Sequence, residues 1–108
     1  MSNKLDYFLE PQLLIELIQE NLRKIERDGV RIFIIGSLAR RDFMIDSDVD
    51  ILLITGLKEI VIQIRSILDK ILLGKGIFYD LITLTSTEFE KRKNTLLIQE
   101  ALNEGIEI

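Results

Sequence analysis

The chain has 108 residues, 47% of them hydrophobic and 30% charged, with a formal net charge of −4. That length suits one domain with a modest core, so residues 1–108 are expected to fold as a single unit. The apolar content excludes disorder, and the acidic balance argues against extended nucleic acid as the main ligand, because such binding needs a basic surface.

Two absences narrow the chemistry. The chain has no cysteine and no histidine. Disulfides, thiolate nucleophiles, thiolate zinc sites and the imidazole general base are therefore excluded. Catalysis has to rest on carboxylates, hydroxyls, lysine, arginine, backbone amides and a hard, oxygen-seeking metal. No apolar run approaches the roughly 18 to 20 residues of a membrane span, and Met1-Ser2-Asn3-Lys4-Leu5-Asp6 carries no signal-peptide pattern. A cytoplasmic location is expected.

In chain order, Pro11 suits the first turn of a helix, and Leu14, Leu17, Ile18, Leu22 and Ile25 repeat at helical spacing, with Asp28-Gly29 as the stop. Arg31 to Ile35 reads as a buried strand, Gly36-Ser37 as a turn out of it, and Leu38 to Arg41 as a helical turn. Val49 to Thr55 is the second strand. Leu57, Ile60, Val61, Ile64, Ile67, Leu68, Ile71 and Leu72 form an amphipathic helix stripe that ends near Gly74 and Gly76. Ile77 to Thr85 is a third strand, with Phe78, Asp80, Ile82 and Leu84 on one face. Ser86 or Thr87 caps a following helix. Leu96 to Asn103 is helical, Gly105 ends it, and Ile106-Glu107-Ile108 adds a short edge strand. The order predicts an α/β fold: a small mixed sheet with helices packed on it.

The chemistry-bearing residues gather at strand ends. Gly36-Ser37, between a strand and a helical turn, suits a phosphate: glycine lets backbone amides approach, and the serine hydroxyl can donate. Arg40 and Arg41 could pair with phosphate or stay solvated on the surface. Asp48 and Asp50, one residue apart in an extended segment, share a face and lie roughly 6 to 7 Å apart. Two converging carboxylates call for a cation between them, and Mg²⁺ fits. Asp80 interrupts an apolar strand, where an unpaired buried carboxylate is costly. It either joins Asp48 and Asp50 around one or two divalent ions or sits in a buried pair with lysine or arginine.

Gly36-Ser37, then Asp48-Val49-Asp50, then Asp80 on a later strand resembles the signature of the polymerase-beta-like nucleotidyltransferases, and more narrowly of the minimal nucleotidyltransferases of prokaryotes. The resemblance spans nearly the whole chain, including the ending Ala101-Leu102-Asn103-Glu104-Gly105-Ile106. One letter departs: the family pattern resembles Gly-Ser-x-Ala-Arg-Gly, and Arg41 stands where the last glycine is usual.

The resemblance implies that Asp48, Asp50 and Asp80 hold Mg²⁺ against the triphosphate of ATP. It also implies that Gly36, Ser37 and Arg40 contact the nucleotide, and that Asp80 helps deprotonate the attacking hydroxyl. Minimal nucleotidyltransferases often pair with a small helical HEPN protein, so it further implies an antitoxin that places AMP on a tyrosine of an RNase toxin, within a hetero-oligomer. Leu13, Ile15, Ile62 and Leu73, off the main helical stripes, suit either a protein interface or the core. Two other readings stand beside this one: a transferase acting on a small molecule, and a non-catalytic module that neutralises its partner by contact alone.

Overall fold

Four strands pair in the order β3-β2-β1-β4. The two central strands are β1 (Arg31–Ile35) and β2 (Val49–Ile54), which run antiparallel with Arg31 opposite Ile54 and Ile35 opposite Asp50. On one side β3 (Tyr79–Leu84) lies parallel to β2; on the other, β4 (Ile106–Glu107) lies antiparallel to β1. The sheet is therefore mixed, as the sequence predicts. This computed structural model describes residues 4–108; Met1 to Asn3, the head of the segment read for a targeting pattern, lie outside the described residues.

The helices are α1 (Lys4–Leu9), α2 (Pro11–Leu22), α3 (Gly36–Arg40), α4 (Lys58–Ile71), α5 (Ser86–Lys91) and α6 (Leu96–Glu104), with a single 3-10 turn at Leu73–Lys75. Strand alternation divides the core in two. Ile32, Ile34, Val49, Ile51 and Leu53 face α2 and α4, whose Leu14, Ile18, Ile64 and Leu68 are fully buried. Phe33, Ile35, Leu52, Ile54 and Leu84 face the other way, against Phe89 of α5 and Ile98 and Ala101 of α6. Both faces of the central strands are covered, which is why their sequences read as unbroken apolar runs. Each fully buried Leu or Ile contributes about 1.5 to 3 kcal/mol. No helix among the described residues is long and apolar enough to cross a membrane.

Several boundaries differ from the sequence expectation. Helix α2 stops at Leu22 rather than at Asp28-Gly29. The Arg27 guanidinium donates to the Leu22 carbonyl (3.1 Å) and satisfies an end that would otherwise need more helix. Ile25 still reaches the core, 5% exposed, from an irregular segment. The cap of α5 is Thr85, not Ser86 or Thr87: its hydroxyl accepts from Glu88 N–H (3.1 Å), while the Glu88 carboxylate accepts from Thr85 N–H (2.9 Å). Helix α1 had no counterpart in the sequence reading. Of the four off-stripe residues, Leu13, Ile62 and Leu73 are exposed, but Ile15 is buried in the core.

Candidate active site

The site forms where β1 ends. Ile35 completes the strand and α3 starts on the next residue, so Gly36 is both the turn and the first helical position. Its φ is +71°, a conformation open to glycine without penalty. The missing side chain also makes room: a Cβ on Gly36 would sit 2.6 Å from Asp50 Oδ2. Asp50 is half-buried, and its register opposite Ile35 brings its carboxylate against this turn.

The parallel β2–β3 pair brings in the third aspartate. Asp50 is in register with Asp80, so their backbones lie one strand spacing apart, roughly 4.8 Å. They occupy equivalent positions on their strands, on the face shared with Leu52, Ile82 and Leu84. Asp48 precedes β2 in the loop, where the next residue, Val49, donates its N–H to the Phe78 carbonyl (2.9 Å). Burial, then the charge of Asp80, then that of Asp48 push the Asp50 carboxyl above its usual range, with Arg40 partly offsetting the rise. Asp50 therefore lies within electrostatic reach of both other carboxylates.

One premise for Asp80 is corrected. It was singled out as a carboxylate buried in an apolar strand, or else paired with a lysine or arginine. The structure leaves it exposed, because β3 is the outer strand of the sheet. Its place beside Asp50, not a need for a buried partner, gives it meaning.

A cleft of about 230 Å³ opens beside these residues, lined by Gly36, Arg40 and Asp50 together with Leu97, Glu100 and Glu104 of α6. Arg40 reaches across it, pairing with Asp42 (3.4 Å) and Glu104 (3.7 Å). Ser37, Asp48 and Asp80 stand outside this lining, so three of the six expected residues line the cleft and three do not. The sequence reading missed Leu97, Glu100 and Glu104. Their helical spacing places them on one face of α6, but nothing local shows that this face looks toward Gly36.

Arg41, the departure from the glycine pattern, adopts φ +62° as the cap of α3. The position is left-handed, which is where a glycine is favoured. Its guanidinium turns away from the cleft and donates to Gln12 Oε1 (3.0 and 3.2 Å) and to the Ala39 carbonyl (3.2 Å).

Three aspartates offer only hard oxygen donors, a set that suits Mg²⁺ and similar cations. No three acidic side chains among the described residues are already drawn together as a ligand cage. The Asp50 carboxyl is raised by burial first and by its like-charged neighbours second, and a bound cation would oppose both effects.

The nucleotidyltransferase domain model matches residues 14–108. The chain belongs to this family. The match runs from α2 through β4 and takes in every residue of the site above. Similar solved structures include a protein from Sulfolobus solfataricus assigned as a nucleotidyltransferase, 21% identical, with a TM-score of 0.44 over 99% of this chain and 86% of that one. A mutant of the toxin–antitoxin pair MntA-HpeT is 17% identical, with a TM-score of 0.48 over 91% of this chain and 71% of that one. No curated protein sequence matches significantly.

Proposed function

We propose that this nucleotidyltransferase transfers AMP from ATP to a hydroxyl, that of a tyrosine, on a helical HEPN-type toxin and thereby acts as its cytoplasmic antitoxin. The observation that carries the chemistry is the register of Asp50 with Asp80, set against the side-chain-free turn at Gly36. Asp48, Asp50 and Asp80 are the groups that would hold Mg²⁺. When bound, the cation offsets charge on the phosphate oxygens during in-line displacement.

The first-turn amides of α3 lack partners within their own helix, and with the Ser37 hydroxyl they supply donors for phosphate oxygens. Arg40, already held between two carboxylates, can exchange them for a phosphate. Asp80, exposed on the outer strand, is open to an incoming hydroxyl. The acceptor oxygen bonds to the α-phosphorus as the bond from that phosphorus to the pyrophosphate oxygen breaks. Pyrophosphate leaves with the electron pair, and the hydroxyl proton passes to Asp80.

A protein acceptor is supported by the site's surroundings. Met44 and Ile45, in the loop leading to Asp48, and Phe78, two residues before Asp80, are all exposed. Large apolar side chains beside a phosphate-handling site suit docking of a protein better than binding of a polar small molecule.

The test is transfer of label from α-labelled ATP to the cognate helical protein with Mg²⁺ present. Asp48→Asn and Asp50→Asn are expected to abolish it. Protection of cells by a complex that forms without any label transfer would instead support neutralisation by contact.

A further inference from the structure

The far end of the sheet carries a second crevice with its own polar chemistry. Its volume is about 260 Å³, and Arg27, Arg31, Thr55 and Ser86 line it between Gly29 and Gly56. Arg31 opens β1 and lies opposite Ile54 at the end of β2, whereas Asp50 lies opposite Ile35 at the other end. Four residues of strand separate the two sites, roughly 13 Å. The crevice is thus distinct from the active-site cleft, and the transfer chemistry uses none of its residues.

The donors exceed the acceptors available to them. Arg27 spends Nη2 on the Leu22 carbonyl, but its Nη1 is buried and has no hydrogen-bond partner among the described residues. A buried guanidinium nitrogen without an acceptor is costly to maintain. Arg31 gives Nε and Nη2 to Glu107 (2.9 and 3.0 Å), which leaves its Nη1 hydrogens without a side-chain acceptor among the described residues. The Phe33 and Phe89 rings hold this guanidinium in place, 4.9 and 5.7 Å from their centroids. Thr55, only 3% exposed, accepts from Leu57 N–H (3.1 Å) and keeps its own proton to donate. Arg27, Arg31 and Thr55 line the same crevice, and among the described residues the carboxylate bonded to these guanidinium groups is Glu107, which bonds Arg31 and also feels the charge of Arg27.

We infer that this crevice binds a phosphate-class oxyanion between Arg27 and Arg31. A tetrahedral oxyanion has enough acceptor lone pairs for the Arg31 Nη1 hydrogens and the Thr55 hydroxyl together, and Arg27 Nη1, buried without an acceptor, gains one only if its guanidinium turns toward the crevice. The hollow at Gly29 and Gly56 leaves space beside the anion, since neither position has a neighbouring atom within 4 Å of an added Cβ. The shared chemistry is the phosphoryl group, carried either by inorganic phosphate or by a phosphate monoester.

The experiment is a proton–nitrogen correlation titration of the labelled full chain, at ionic strength held constant with chloride. Inorganic phosphate is expected to produce saturable shifts at the Gly29 and Gly56 amides and at Arg27 Nε–H. Arg27→Gln should weaken the binding about fivefold or more, and Arg27→Lys, which keeps charge but loses the fork, should weaken it as well. AMP in a second titration separates the sources: saturable shifts at the same amides mean that monoesters enter, and none there means that the site takes the free ion. Shifts confined to Gly36 and Arg40, or no saturation with phosphate at Gly29 and Gly56, would overturn the inference. So would wild-type affinity in Arg27→Gln, whose folding the same spectrum reports.

Discussion

Asp50 Oδ2 occupies the space that any side chain on Gly36 would need, 2.6 Å from where the Cβ would stand. The glycine is thus required twice, for its left-handed backbone and for the carboxylate packed over it. Gly36→Ala is expected to cost about 1 to 2 kcal/mol from the backbone alone, with a further loss from the contact. Urea unfolding measures the first effect. Transfer activity should fall further than stability does, because Asp50 must move.

Asp80 is exposed on the outer strand of the sheet, whereas Asp50 is half-buried against the Gly36 turn and Asp48 is exposed in the loop before β2. Asp80→Asn should therefore lose turnover by about 100-fold or more, the usual worth of a general base, while ATP binding persists. Filter binding and single-turnover transfer separate the two effects. Unchanged turnover would remove Asp80 from proton transfer.

The raised Asp50 carboxyl gives a pH signature. Its folded-state pKa lies above the unfolded value, through burial first and then the charges of Asp80 and Asp48. The folded state therefore holds the proton more tightly. Its contribution to stability is complete below the unfolded pKa and is lost as pH rises through the folded one. Without divalent cations, Asp50→Asn should gain on the wild type as pH rises from the ordinary carboxylate range through the raised folded-state pKa, a gain reduced by solvent screening. Added Mg²⁺ should narrow or reverse that gap. A difference that stays flat with pH would contradict the assignment.

Arg41 offers a test of backbone strain free of side-chain chemistry. Arg41→Ala and Arg41→Gly both delete the guanidinium bonds to Gln12 and Ala39. They differ in how well they tolerate φ +62°. The glycine variant should be the more stable by about 1 kcal/mol, which is several degrees in melting temperature for a domain of this size.

At the sheet's other edge, Arg31 and Glu107 tie β4 to β1 through two hydrogen bonds. The Glu107 carboxyl is lowered chiefly by the hydrogen bond from Arg31. Its contribution is present above the unfolded carboxyl pKa and lost as pH falls through the folded one. Both groups are about half exposed, so Glu107→Gln should cost no more than about 0.5 to 1 kcal/mol, and less at high salt.

Much of this molecule was legible in one dimension. The apolar run from Ile32 to Ile35, the alternation from Ile77 to Thr85 and the stripe from Ile60 to Leu72 each specify an element through side-chain period alone. What they do not specify is where an element stops when a distant group satisfies its end. Arg27 closing α2 at Leu22 is such a case, and so is Thr85 capping α5 one residue before the serine.

The same division runs through the site. Residue chemistry and spacing by themselves singled out Gly36, Asp48, Asp50 and Asp80 as candidates, although of the three aspartates only Asp50 is even half-buried, so the burial argument that pointed to Asp80 does not hold. Only the tertiary structure decided that β3 runs parallel beside β2 with Asp80 level with Asp50, and that α6 brings Leu97, Glu100 and Glu104 across the cleft. It also decided that Asp80 is exposed and that Arg41 points away. Strand register, sheet edges and helix facing depend on contacts between residues far apart in the chain, and no local periodicity encodes them.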